Sequence, residues 1–120
     1  MVKLGVMGCA GIATHQLNSV WEDGLFELVT GADLRQEQLD VFKDKFGMKE
    51  GYLDYREMLA KADIEAVMVC TPTFVHAENV IAAAEAGKQI FCQKPMALTS
   101  VDCHRMINAC SESGVGLQLG

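Results

Sequence analysis

The sequence predicts a doubly wound α/β fold, in which a parallel sheet of about six strands is covered by helices on both faces. Strand-like and helix-like segments alternate along all 120 residues, which is typical of parallel sheets with helical crossovers. One segment, 66–70, is apolar without alternation, as expected of a strand that is buried on both faces. Half of the residues are apolar and 22% are charged, a composition typical of one globular domain with one core.

In the first half of the chain, each predicted strand leads into a helix. Residues 2–8 form a short apolar strand, and the next helix has apolar residues at i, i+4, i+7 and i+8, which are Ala13, Leu17, Val20 and Trp21. The second strand spans 26–32, and the helix after it ends at Gly47, a typical C-cap. A weak edge strand follows around 50–53. Asp54, with a glutamate three residues on, resembles a capping box that begins a short helix.

The second half of the chain repeats this alternation. The strand at 66–70 precedes a helix that ends at Gly87 and whose apolar face comprises Ala77, Val80, Ile81 and Ala84. A further strand is predicted at 89–92. Thr99 begins the last helix, whose apolar stripe comprises Cys103, Met106, Ile107 and Cys110. A final strand at 115–119 completes one domain over residues 1–120.

Charge and hydropathy exclude several classes of function. The net charge of -6 argues against nucleic-acid binding or membrane-surface binding driven by overall charge. No apolar run approaches the roughly 20 residues that span a bilayer. The N-terminus lacks the apolar core of a signal peptide, so we expect a cytoplasmic protein.

The five cysteines include no C-x-x-C pair, which argues against a disulfide framework or a zinc ribbon. Cys9, Cys70 and Cys92 each close a predicted strand and could lie near one another. No acidic or histidine pattern accompanies them, so buried, reduced thiols are favoured and no metal site is expected. A redox or metal module built on these thiols is the least favoured alternative.

A glycine-rich turn joins the first strand to the first helix. Its residues are Gly8, Cys9, Ala10, Gly11, Ile12 and Ala13, a variant of the Rossmann dinucleotide-binding fingerprint with alanine in place of the second glycine. Gly8 permits a tight turn, Gly11 permits close approach to the backbone, and Ala13 lets helix and strand touch. The free N–H groups of the helix N-terminus, around Ala10 and Ile12, are then expected to bind a pyrophosphate.

An acidic residue ends the second strand, where such folds bind the adenosine ribose. Asp33 can accept hydrogen bonds from the ribose hydroxyls and would repel a 2′-phosphate, which favours NAD over NADP. The alternative is a solvated or helix-capping carboxylate. Arg35 can pair with a 2′-phosphate or stack on adenine, so NADP stays open.

Together with the glycine turn, the later strand ends resemble the N-terminal cofactor domain of the Gfo/Idh/MocA oxidoreductases, whose type member is glucose–fructose oxidoreductase. The resemblance covers essentially the whole chain, in order and without large gaps. Its sharpest features are three short segments: Thr71-Pro72 with His76, Ala86-Gly87-Lys88, and Lys94-Pro95.

The resemblance implies roles for individual residues. Thr71 and Pro72 would form the wall beside the pyrophosphate and nicotinamide ribose, and His76 would lie near the nicotinamide. Lys94 would contact the nicotinamide ribose and act in catalysis, since an ammonium there can polarise a hydroxyl or carbonyl group and relay protons. Gln93 replaces the glutamate of the family motif. It can still bind ribose hydroxyls, but it removes a negative charge beside Lys94.

The resemblance also implies a function for the whole protein. Family enzymes transfer hydride between a nicotinamide cofactor and a hydroxyl or carbonyl group of a sugar, cyclitol or related compound. A second, C-terminal domain supplies the substrate pocket and often an oligomer interface, and we expect that domain to be absent from this chain. The chain would then bind a dinucleotide, meet substrate only with the missing domain, and be nearly inactive alone. The alternative is a self-contained, non-enzymatic nucleotide-binding or sensing module.

Overall fold

The computed structural model describes residues 2–9, 11, 13–15, 17, 24, 26–93 and 96–119. It confirms the predicted fold class: six parallel strands form one sheet in the order β3-β2-β1-β4-β5-β6. The strands are β1 Val2–Met7, β2 Phe26–Ala32, β3 Glu50–Tyr52, β4 Ala66–Val69, β5 Gln89–Cys92 and β6 Leu117–Leu119. The order reverses at β1, which lies between β2 and β4. In doubly wound sheets, ligands bind at this switch point, beyond the carboxyl ends of the strands.

Helices cover both faces of the sheet, as predicted. They are α1 Gln36–Phe46, α2 Tyr55–Lys61, α3 His76–Glu85 and α4 Ser100–Ser113, with a 3-10 turn at Thr73–Val75. Residues 11, 13–15 and 17 are also helical. These residues and α1 pack against one face of the sheet, whereas α2, α3 and α4 pack against the other. Of the predicted first apolar face, Val20 and Trp21 lie outside the described residues.

The helix ends confirm the caps predicted at Gly47, Asp54 and Thr99. Gly47 and Gly114 follow α1 and α4 in the left-handed conformation that glycine adopts easily. The Thr99 hydroxyl accepts a hydrogen bond from the Asp102 backbone N–H at the start of α4. The Asp54 carboxylate accepts one from the Arg56 N–H at the start of α2. In a full capping box, the Glu57 side chain would also accept a hydrogen bond from the Asp54 N–H. Here the Glu57 carboxylate instead forms an ion pair with Lys61, one turn later.

The apolar stripe of α4 is narrower than predicted. Met106 and Cys110 are buried against the sheet, while Cys103 is half-buried and Ile107 is half-exposed. Positions separated by four residues lie on the same side of a helix, whereas Ile107 is turned about 100° from Met106. The predicted stripe therefore wrongly included Ile107, which lies beside the buried face of the helix and not on it. No helix in the described part of the chain is long and apolar enough to cross a membrane.

The predicted burial of the strand-end cysteines is confirmed. Cys9, Cys70 and Cys92 are buried, and burial is the main reason that the pKa rises to about 12 for Cys9 and Cys70 and to about 11 for Cys92. A raised pKa lowers the amount of the nucleophilic thiolate. Among the described residues, no group of three or more His, Cys, Asp or Glu side chains could hold a metal ion.

We therefore predict that only the Cys103 thiol reacts rapidly in the native protein. A rise in pKa from 9.0 to about 12 reduces the thiolate of Cys9 and Cys70 by roughly a thousandfold at pH 8. Titration with a chromogenic disulfide should show one fast thiol natively and five in denaturant. Cys103→Ser should remove the fast phase, and a second fast thiol in the native protein would contradict the prediction.

Candidate functional site

A cavity of about 480 Å³ opens where β1, β2 and β4 end, at the switch point of the sheet. Five of the residues predicted to bind a cofactor line it: Gly8, Asp33, Arg35, Thr71 and Pro72. They come from three loops that are far apart in the sequence. The parallel sheet brings them together because the carboxyl ends of parallel strands meet at one edge.

Gly8 is required by the fold itself. Its φ of 90° lies in the left-handed region, and an added Cβ would lie 2.8 Å from the backbone carbon and oxygen of Cys70. The Gly8 N–H donates a 2.8 Å hydrogen bond to the Ala32 carbonyl. Any other residue here would force β1 and β4 apart at their carboxyl ends.

Gly11 differs from Gly8 because the fold does not require it. It is helical and exposed, and it lacks a positive φ. Apart from its chain neighbours and the backbone of its own helix, no atom of the described residues lies within 4 Å of an added Cβ. Alanine would suit a helix better than glycine. The remaining physical reason for glycine is open space for a ligand at the N-terminal end of the helical residues. The predicted neighbours Ala10 and Ile12 lie outside the described residues.

Asp33 connects the glycine turn to the end of β2. One carboxylate oxygen, Oδ2, accepts a 2.8 Å hydrogen bond from the Cys9 N–H, and Oδ1 accepts a 2.9 Å bond from the Arg35 N–H. The Arg35 Nε lies 3.6 Å from Oδ1, and the Asp33 side chain is only 9% exposed. Each carboxylate oxygen accepts about two hydrogen bonds. Asp33 can therefore hold the turn and still accept hydrogen bonds from hydroxyl groups in the cavity.

His76 lies behind the cavity wall. It begins α3 but is 1% exposed. Its Nε2 lies 2.7 Å from the Thr71 carbonyl oxygen and its Nδ1 3.2 Å from the Met96 carbonyl oxygen. The ring therefore faces backbone of the wall, and direct contact with a cofactor stays a prediction.

Gln93 follows β5 at the same edge of the sheet, where its N–H donates to the Val69 carbonyl. The side-chain nitrogen, Nε2, is buried and has no hydrogen-bond partner among the described residues. A buried donor without an acceptor is unfavourable by roughly 1–3 kcal/mol. A ligand that offered an acceptor here would relieve that cost. Lys94, the predicted catalytic residue, lies outside the described residues.

Several residues that line the cavity were not predicted from the sequence. Leu34 and Phe74 are 89% and 73% exposed at its mouth. Large apolar side chains with that exposure in strand-end loops suit the faces of a flat aromatic base. For Leu34, the signal available in the sequence was an isolated apolar residue between two charged ones. The other missed lining residues include Leu53, Tyr55, Val75, Glu78 and Asn79.

Residues 2–120 match the sequence model of a protein family described as an oxidoreductase family with an NAD-binding Rossmann fold. The chain belongs to the Gfo/Idh/MocA oxidoreductase family. It is 35% identical over 121 residues to myo-inositol 2-dehydrogenase of Thermotoga maritima, an alignment that covers 99% of this chain and 36% of that protein. The resemblance inferred from the sequence motifs is confirmed.

Solved structures of a dehydrogenase and of another oxidoreductase share the fold. The WlbA dehydrogenase of Bordetella pertussis, in complex with NADH and UDP-GlcNAcA, matches with a TM-score of 0.94 and 30% identity over 99% of this chain and 36% of that one. An oxidoreductase from Agrobacterium radiobacter, in complex with NAD+, L-tartaric acid and magnesium, matches with a TM-score of 0.92 and 25% identity over 98% of this chain and 34% of that one. This chain therefore spans about a third of the length of the relatives that it matches.

The described residues fit a dinucleotide. Gly11 leaves space beside the helix N-terminus, the Asp33 carboxylate can accept hydrogen bonds, and Gln93 has a buried donor without a partner. These groups match phosphate, ribose hydroxyl and carbonyl functions respectively. The chemistry of the site thus agrees with the NAD-binding Rossmann fold of the family.

We predict that Gly11→Ala weakens NADH binding without destabilising the fold. The added methyl group should occupy ligand space and lower the affinity roughly tenfold. Alanine should also raise the free energy of unfolding by up to about 1 kcal/mol. Fluorescence titration and thermal unfolding measure the two effects.

Gly47→Ala provides a control that should lower stability without changing NADH affinity. Gly47 has a φ of 69° at the end of α1, away from the cavity. This substitution should destabilise the fold by about 1 kcal/mol and leave the affinity unchanged. Unaltered NADH affinity in the Gly11→Ala protein would exclude Gly11 from the site.

Proposed function

We propose that this chain is the NAD-binding domain of an oxidoreductase that transfers hydride between nicotinamide and a hydroxyl or carbonyl group of a sugar, cyclitol or related compound. The observation that carries the proposal is the Asp33 carboxylate, which faces the switch-point cavity while it holds the glycine turn. The names of the relatives support the substrate class, because they act on or bind an inositol or a nucleotide sugar.

The surroundings of Asp33 favour NAD over NADP as the cofactor. The carboxylate is mostly buried, so its negative charge is poorly screened by solvent and would oppose a 2′-phosphate. The Arg35 guanidinium lies beside the same carboxylate, which reduces the positive charge available for a phosphate. Arg35 remains exposed enough to stack on an adenine ring.

In the proposed mechanism, the residues that follow β5 transfer the substrate proton. Bound NAD would supply the hydride acceptor and NADH the donor. Lys94 would polarise the substrate oxygen and relay its proton, as in the family motif. The neighbouring Gln93 would orient the nicotinamide half through its Nε2 donor, which has no partner in the described part of the chain. Because Gln93 is neutral, the carboxylate that the family motif places beside this lysine is missing.

We further propose that a second domain of a longer polypeptide supplies the substrate pocket, since this chain spans about a third of its relatives. The isolated chain would then bind NAD and turn over little or no substrate. We expect the complete protein to work in the cytoplasm and to form a homo-oligomer through the second domain.

We predict that Asp33→Asn reduces the preference for NADH over NADPH. Removal of the charge should weaken NADH binding about tenfold and weaken NADPH binding less, because the repulsion of the 2′-phosphate is lost. Fluorescence titrations with both dinucleotides measure the ratio. Asp44→Asn removes the same charge from an exposed position on α1 and should change neither affinity. An unchanged ratio in the Asp33→Asn protein would contradict the assigned role.

The length of the native polypeptide tests the proposed second domain. Its intact mass in source cells should lie well above the 13.1 kDa of this chain. The longer protein should oxidise a cyclitol or sugar with NAD, whereas residues 1–120 alone should not. A native mass of 13.1 kDa would favour a self-contained nucleotide-binding module.

A further inference from the structure

A line of hydrogen-bonded side chains leads from the cavity wall to the protein surface. The Thr71 hydroxyl lies 2.5 Å from Asn79 Oδ1, and the Tyr55 hydroxyl lies 3.0 Å from Glu78 Oε1. The Asn79 side chain faces the Tyr55 hydroxyl as a donor and so connects the two pairs. We name these four residues the Thr71–Glu78 chain. All four line the switch-point cavity, and they join the loop after β4 to helices α2 and α3.

The carboxylate at the outer end sets the direction of every bond. An ionised carboxylate can only accept hydrogen bonds, so the Tyr55 hydroxyl must donate its one proton to Glu78. Tyr55 can then only accept from Asn79, which places the Asn79 amide nitrogen towards Tyr55 and its oxygen towards Thr71. Thr71 must therefore donate to Asn79. Glu78 is ionised at neutral pH even at the ordinary pKa of a glutamate, and its hydrogen bonds with Arg56 and Tyr55 lower that pKa further.

The burial of Asn79 and one further contact of Thr71 support this arrangement. Asn79 is 2% exposed, so water is poorly placed to replace a lost bond. The Thr71 carbonyl oxygen is held from the other side by the buried His76 ring, 2.7 Å away. His76 and Asn79 lie one turn apart on α3. Together they fix both the backbone and the side chain of Thr71 at the cavity wall.

We infer that Glu78 is a positioning residue that makes the Thr71 hydroxyl an obligate hydrogen-bond acceptor towards the cavity. The Thr71 proton is committed to Asn79, so only the lone pairs of its oxygen are left for a ligand. The matching ligand group is a donor, such as a ribose hydroxyl or an amide N–H. This identification of the ligand rests on the proposed function, in which a dinucleotide occupies the cavity.

The decisive experiment is a double-mutant cycle on NADH affinity with Glu78→Gln and Thr71→Val. A glutamine can donate to Tyr55, which allows the whole chain to reverse and turns the Thr71 proton towards the cavity. Glu78→Gln should weaken NADH binding by about three- to tenfold in the unaltered chain. It should have no further effect in the Thr71→Val background, where no hydroxyl remains to be oriented.

Two control variants separate this role from charge and from the surface ion pair. Glu85→Gln removes the same charge from an exposed position two turns along α3. Arg56→Gln removes the ion pair with Glu78 but keeps the carboxylate. Both should bind NADH as the unaltered chain does. A merely structural role for Glu78 would instead lower the melting temperature and weaken binding equally in both Thr71 backgrounds.

The inference is overturned if Glu78→Gln leaves NADH affinity unchanged, or if its effect persists undiminished with Thr71→Val. Should Thr71→Val lose the native circular dichroism spectrum, the cycle is run with Tyr55→Phe, which severs the chain between Glu78 and Asn79 and should also abolish the effect. Absence of NADH binding by the unaltered chain would overturn the proposed function as well. If the unaltered chain binds NADH but the effects of Glu78→Gln and Thr71→Val are simply additive, only this inference is overturned.

Discussion

The close approach of two loops at the switch point is the constraint on which the site depends. The turn after β1 passes the end of β4 so closely that only glycine fits at position 8. That contact sets the distance between the glycine turn and the Thr71–Pro72 wall. The Asp33 carboxylate then fixes the same turn to the end of β2. Two short-range contacts thus position three strand ends, and the cavity is the space that they leave.

Local sequence patterns were enough to predict the fold. The patterns that predicted it each depend on residues that are close in the chain. They are the alternation of strand and helix periods, the C-cap at Gly47 and the N-caps at Asp54 and Thr99. The exposed Ile107 shows the limit of this approach. An apolar stripe indicates which side of a helix is buried, but its width depends on how the helix sits against the sheet.

The site was predictable only in part. Gly8, Asp33 and Thr71 follow strands, so topology alone brings them to one edge of the sheet. The position of His76 behind that wall depends on the 3-10 turn that precedes α3, and residue type does not reveal it. The hydrogen-bond direction imposed by Glu78 requires four side chains from three segments. No spacing rule connects them, because Tyr55 and Glu78 become neighbours only through tertiary packing.

The strand order has a mechanical consequence. The sheet consists of two halves, one formed by β1, β2 and β3 and the other by β4, β5 and β6. The β1–β4 ladder joins the two halves. That ladder has four paired positions, from Leu4 with Ala66 to Met7 with Val69. A ligand bound beyond the end of this ladder contacts both halves of the sheet and so links them. A ligand in the cavity would therefore stabilise the folded sheet against unfolding that separates the two halves.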